Sequence, residues 1–166
     1  LVRGGARSTI ARHTAAVRNF TAWAVREEIL PSDPAAALSS PRADQRLPTP
    51  LDESDARTLI NLAKSEALTG GPSQMRAWAI LELTYACGLR VSEVCALDVS
   101  SLNREALTVR VLGKGNKERV VPYGPPAEDA LDHWLVRGRP QLAGETSGSA
   151  LFLGDLGGRI DPRVVR

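Results

Sequence analysis

No apolar run in this chain approaches the ~20 consecutive residues that a helix needs to span a bilayer, so the sequence reads as free of membrane spans. The first ten residues carry Arg3 and Arg7 but no apolar core, which excludes a signal peptide. Leu1 stands where an initiator Met would, so the natural chain is expected to begin earlier. Cysteine is nearly missing. Cys87 and Cys95 lie eight residues apart in an apolar stretch, too few for a disulfide framework or a metal site. Both read as buried helix residues in a reducing cytoplasm. Lysine is scarce as well: of 21 basic residues only Lys64, Lys114 and Lys117 are Lys, and two of these share one turn. Of the two cation types only Lys readily loses its proton, so their clustering in an Arg-rich chain points to a position that needs a titratable cation.

What is present suits one medium domain, or one compact domain with part of another. Hydrophobic residues make up 43% of the 166, enough for a packed core, against 24% charged and a net charge of +2. The distribution says more than the sum. Residues 1–47 hold seven Arg against four acids, and Arg110, Lys114, Lys117 and Arg119 form a second basic cluster opposed by Glu118. Two basic zones on a nearly neutral chain suggest a polyanion held at two places.

Periodicity divides the chain. Residues 8–29 read as an amphipathic helix capped by Ser8 or Thr9, with Ile10, Val17, Phe20 and Ala24 toward a core. Arg12, Asn19 and Arg26 recur on another face. Pro31 and Pro34 are expected to end this helix. Residues 41–50 read as a linker, carrying Pro41, Pro48 and Pro50. A second unit, 51–166, opens with Asp52 as N-cap and Leu51 against Ala56 as a hydrophobic staple. Helices follow to about Ala67, from Gln74 to Ala86 and from Val91 to Leu97. Alternating apolar residues from Leu107 to Val121 about Gly113-Lys114-Gly115-Asn116 read as a hairpin. Pro125 to Arg137 reads as a helix, Leu151-Phe152-Leu153 as a short strand, and Asp161-Pro162 opens a last helix. The fold class is mainly α with a small antiparallel hairpin or sheet, α+β.

Two segments carry chemistry. In Cys87-Gly88-Leu89-Arg90-Val91-Ser92-Glu93 an arginine follows a helix-breaking glycine and has apolar neighbours on both sides. Such an arginine wants an anion or a carboxylate, and Glu93 is one candidate partner. The other segment is Gly113-Lys114-Gly115-Asn116-Lys117-Glu118-Arg119. Its glycines suggest a phosphate loop, but it lies between two strands and lacks the Lys-Ser or Lys-Thr ending, so nucleotide binding is rejected.

Together the two segments, in order and about twenty residues apart, resemble the first catalytic box and β-hairpin of the tyrosine recombinases, with wording closest to the bacterial Xer subfamily. Residues 1–40, ending in Asp33-Pro34-Ala35-Ala36, resemble the last helix of that family's core-binding domain, and 51–166 resemble the start of its catalytic domain. The resemblance implies site-specific recombination of double-stranded DNA through a 3′-phosphotyrosyl intermediate, with no metal, nucleotide or other cofactor. It implies that Arg90 holds nonbridging oxygens of the scissile phosphate and that Lys114 protonates the departing 5′ oxygen. Glu93 would support the active-site arginines and Ser92 would cap a helix. Arg12, Asn19, Arg26, Lys117 and Arg119 are candidate DNA contacts, with stabilisation of the hairpin face an equal reading for the last two. The implied partners are homologous protomers in a tetrameric synapse and a septal DNA translocase, and the implied role is resolving chromosome dimers.

The family's second box, His-x-x-Arg, and its nucleophilic tyrosine have no match here. His133 and Arg137 stand four apart and precede the Leu151 segment, so they read as part of an amphipathic helix with Trp134 and Leu135 inward. Tyr85 reads as buried mid-helix, and Tyr123 closes a strand. The missing parts are expected before Leu1 and after Arg166, leaving this stretch unable to cleave DNA. Two other readings stay open: a phage or transposon integrase of the same family, and a DNA-binding relative without catalysis.

Overall fold

The computed structural model describes residues 6–40, 50–113, 115 and 117–165. The chain divides into two compact units, Leu1–Pro50 and Leu51–Arg166.

In the first unit, α1 (Arg7–Arg26) begins at Ala6, which takes the extended backbone of an N-cap and offers no side-chain acceptor. Ser8 and Thr9, expected as caps, already lie within the first turn. The helix also stops earlier than expected, before any proline. Glu28 adopts φ 59°, and the Ile29 N–H donates to the Ala24 carbonyl at 2.8 Å while the Glu28 N–H donates to Val25 at 3.0 Å. This left-handed closure satisfies the last carbonyls by itself. Of the expected core stripe, Ala24 is buried and Ile10 half-buried, but Val17 and Phe20 are exposed. An amphipathic stripe is covered only where a second element lies over it, and α1 is the one regular element described in this unit. The expected linker, apart from Pro50, lies outside the described residues.

The second unit builds its core around α3 (Pro72–Cys87), packed between α2 (Glu53–Thr69) and α5 (Pro125–His133). Asp52 caps α2 by accepting the Asp55 N–H at 2.9 Å. The expected staple is not made, because Leu51 is exposed. Trp78, Ala79 and Leu83 of α3 are fully buried, and the Trp78 indole N–H donates to Glu82 Oε1 at 3.1 Å. Gly88, at φ 59°, stops α3 in a left-handed turn that a side chain would strain, and α4 (Val91–Ala96) starts three residues later. Cys87 and Cys95 are buried free thiols, as read from the sequence. Among the described residues no helix is long and apolar enough to cross a membrane.

A three-stranded antiparallel sheet follows in the order β1 (Leu102–Asn103), β2 (Thr108–Leu112), β3 (Glu118–Pro122). The hairpin β2–β3 agrees with the sequence, whereas β1 is too short to show periodicity. Val109 pairs with Val121 and Val111 with Arg119, so these four share the inner face. Arg110, Leu112, Glu118 and Val120 face outward and are exposed.

The helix expected over Pro125–Arg137 passes through a π turn at Trp134–Gly138 and continues into α6 (Arg139–Leu142). Trp134 is fully buried, its N–H donating to the Leu151 carbonyl at 2.9 Å and its ring lying 6.1 Å from that of Phe152. Leu151–Leu153 are buried as their composition suggests, but they are not a strand. Among the described residues this segment has only isolated bridges, Asp98 with the preceding Ala150 and Leu153 itself with Arg159. The carbonyls that a ladder would use are taken by side chains: Trp134 donates to Leu151, and the buried Arg76 donates to Leu153 at 2.7 Å. A short α7 (Pro162–Val165) follows.

Candidate active site

The left-handed turn at Gly88 sends Leu89 into the core and leaves Arg90, extended at φ −75° and ψ 152°, as the N-cap of α4. Glu93 then stands in the first turn with its carboxylate pointing back. Its Oε2 accepts the Arg90 N–H at 2.8 Å, and its Oε1 accepts Arg90 Nη1 at 3.1 Å. The capping role expected of Ser92 therefore belongs to Glu93, because a glutamate at this position reaches the N-cap amide and the shorter, exposed serine does not. Although Leu89 is buried and Val91 half-buried, the Arg90 side chain is 73% exposed, against 5% for Glu93.

From the sheet, Arg119 reaches the same carboxylate. Its Nη1 donates to Oε1 at 2.8 Å and its Nη2 to Oε2 at 2.9 Å, a fork-on-fork pair. The Arg119 hydrogen bonds, helped by those of Arg90 and opposed by burial, hold the Glu93 carboxyl down at about 2, from an ordinary 4.5. The partnership pushes the Arg119 guanidinium up in turn. Arg119, read from the sequence as a DNA contact or a stabiliser of the hairpin face, is here engaged with Glu93 of α4. The sequence carried a signal for it: Arg119 alternates with Glu118 and Val120 on the register of Val121.

Arg90, Ser92, Glu93, Leu112 and Gly113 line a cleft of about 390 Å³. Gly113 closes the hairpin by donating its N–H to the Lys117 carbonyl at 2.8 Å. Lys117 is exposed. Lys114, the expected general acid, and Asn116 lie outside the described residues. Arg12, Asn19 and Arg26 are all exposed along α1 of the first unit. The cleft thus joins an exposed guanidinium, tethered at one nitrogen, to the base of a hairpin whose next residue is a lysine. A planar fork of donors with free N–H groups suits a phosphate oxyanion.

The two tyrosines stand away from this cleft. Tyr123 is buried, with its hydroxyl donating to Glu128 Oε2 at 3.0 Å, and burial first, then that carboxylate, pushes its pKa well up. Tyr85, expected to be buried, is 54% exposed and lines a groove with Arg57, Ile60 and Asn61 of α2. Apolar neighbours in sequence do not bury a helical residue that faces outward. The His133 ring packs on Trp78 at 5.4 Å, outside the cleft.

The phage integrase family model matches residues 50–166, and the chain belongs to that family, the tyrosine recombinases. Over 163 residues it is 50% identical to a tyrosine recombinase XerC of Mycobacterium sp. (strain KMS), covering 98% of this chain and 54% of that protein. It is 51% identical over 163 residues to the XerC of Mycobacterium tuberculosis (strain CDC 1551 / Oshkosh), covering 98% and 55%. The chain spans about half the length of the curated relatives it matches. The fold is shared with the Tn1549 transposon integrase in complex with a circular intermediate DNA, at a TM-score of 0.69 and 15% identity over 95% of this chain and 55% of that one. It is also shared with XerA recombinase, at a TM-score of 0.58 and 22% identity over 92% and 49%.

Proposed function

We propose that the full-length protein cuts and rejoins double-stranded DNA at specific sites through a 3′-phosphotyrosyl intermediate. The observation that carries this reading is the exposed Arg90 guanidinium, held by a buried Glu93 beside the base of the β2–β3 hairpin. A tyrosine hydroxyl attacks phosphorus and releases its proton to water, the bond to the 5′ oxygen breaks, and the two oxygens exchange places on the phosphate. Arg90 binds nonbridging oxygens, where charge builds in the transition state, and preorganised donors at that point act most strongly. Lys114 delivers the proton that the 5′ oxygen takes as it leaves. Arg12, Asn19 and Arg26 on α1, with Lys117 at the hairpin, contact the DNA backbone. In this reading residues 1–40 end a core-binding domain, 41–50 link it to the catalytic domain, and 51–166 form that domain's first part.

The XerC relatives support a Xer-type role: resolution of chromosome dimers in the cytoplasm by a tetramer of homologous protomers, with a septal DNA translocase as further partner. The transposon integrase that shares the fold keeps an integrase role as the second reading. Neither Tyr85 nor Tyr123 stands in the cleft, so these 166 residues alone should form no adduct. Incubating them, and separately the full-length protein, with nicked suicide substrates followed by denaturing gels tests both statements. The full-length protein should form a denaturant-stable adduct and the 166-residue chain none. An adduct through Tyr85 or Tyr123 would overturn this assignment of the nucleophile.

A further inference from the structure

Glu93 presents two oxygens and receives four donors: the Arg90 N–H, Arg90 Nη1, and both terminal nitrogens of Arg119. A carboxylate offers about four lone-pair sites, so this one is saturated. The share is unequal. Arg119 takes both oxygens at 2.8 and 2.9 Å, whereas the Arg90 guanidinium holds one of them, at 3.1 Å. The consequence shows in exposure: Arg119's side chain is 37% exposed and Arg90's is 73% exposed, open to the cleft. Two guanidinium groups on one carboxylate leave the cluster with one positive charge, and the geometry leaves that charge on Arg90.

We propose that Arg119 is a positioning residue that sets the charge Arg90 offers to a DNA phosphate, by occupying the carboxylate that would otherwise close on Arg90. The proposal rests on the phosphate-binding reading of Arg90. Its physical basis is the burial of Glu93. A carboxylate with its side chain 5% exposed and its main partner removed cannot turn to water. It would recruit the remaining adjacent cation, Arg90, three residues back on the same helix start. Arg90 would then exchange a one-bond tether for a two-bond pair against the cleft wall, its charge cancelled. Arginine is required at 119 because its fork spans both oxygens, whereas a lysine point charge would leave one of them to Arg90. The sheet register supplies the aim, since pairing with Val111 turns residue 119 inward.

A rescue experiment separates this role from a direct DNA contact and from simple folding. Duplex DNA binding of the 166-residue chain is measured by fluorescence anisotropy at low salt, with a thermal melt for each variant. The set is wild type, Arg90→Ala, Arg119→Met, Glu93→Gln and the double variant Glu93→Gln/Arg119→Met. Methionine keeps the packing of the arginine stem, and glutamine keeps an acceptor for the Arg90 N–H while removing the charge. Arg119→Met should weaken binding roughly tenfold, the scale of one charge-assisted contact. The double variant should return to about the wild-type affinity, because no charge is left to capture Arg90. Glu93→Gln alone, which loosens the Arg90 tether without leaving a charge to capture it, should bind more tightly than Arg119→Met. A double variant as weak as Arg119→Met, or an Arg119→Met that binds like wild type, would overturn the proposal. Binding that ignores Arg90→Ala would instead remove the phosphate reading of Arg90, and this proposal with it.

Discussion

Across the hairpin Arg119 stands opposite Val111, so its guanidinium leaves β3 on the side that holds the buried valines and meets Glu93 there. The Arg90–Glu93 turn at the start of α4 and the β2–β3 hairpin are therefore joined by an ion pair at the inner face of the sheet. Four expected outcomes follow from this and neighbouring contacts.

Acid should loosen the unit through Glu93. Its folded pKa of about 2 lies below the ordinary 4.5, so its contribution is full above about 4.5 and is lost as pH falls through about 2. Urea unfolding across that window should show wild type losing stability more steeply than Glu93→Gln. Equal slopes would mean that the carboxylate adds nothing to the fold.

Gly138→Ala should destabilise the second unit. A Cβ there would stand 2.6 Å from Trp134 Cε3 and 3.2 Å from Met75 Cβ, and neither fully buried Trp134 nor α3 has room to move. Overpacking of this kind costs about 1–3 kcal/mol, more than the ~1 kcal/mol an alanine gains over glycine in a helix. Gly144→Ala, whose Cβ meets nothing within 4 Å, serves as the control and should shift stability by less than about 0.5 kcal/mol. Thermal melts decide between them.

Binding of the 166-residue chain to duplex DNA should be weak and salt-sensitive. If roughly three to five phosphates are neutralised, log affinity should fall with log salt at a slope near −0.9 per contact, from a Kd no tighter than ~10⁻⁵ M. Removing Arg12 and Arg26 together should flatten that slope by about two contacts. Titrations at several salt concentrations measure it, and a slope unchanged by the double removal would take α1 out of the interface.

In the full-length protein Lys114 and Arg90 should fail differently. Arg90→Ala should cost about 3 kcal/mol or more of transition-state stabilisation. Lys114→Ala should slow cleavage by roughly 10²–10⁴-fold. A substrate with sulfur at the bridging 5′ position leaves as a thiolate and needs little protonation. It should restore most of the rate to Lys114→Ala and little to Arg90→Ala. Equal rescue of both, or of neither, would place the general acid elsewhere.

Some features were legible in the sequence because they depend on neighbours a few residues away. Asp52 caps α2 through an amide three residues on, Gly88 stops α3 because its own backbone turns left-handed, and the hairpin shows in the alternation of Val109 and Val111 with Arg110 and Leu112. The box and hairpin motifs that mark the family belong to this class too, since each is a short run of residue types. Other features needed the fold. Leu151–Leu153 are as apolar as a buried strand, yet their carbonyls are claimed by Trp134 and Arg76, which come from distant elements. Tyr85, mid-helix beside Ala86, and Phe20, on the apolar stripe of α1, are both exposed, because burial depends on which element lies across from a helix face. Glu93 was legible as a partner for Arg90, three residues away. That it belongs chiefly to Arg119, 26 residues on, was decided by the strand register, which alone determines the side of the sheet a charge emerges from.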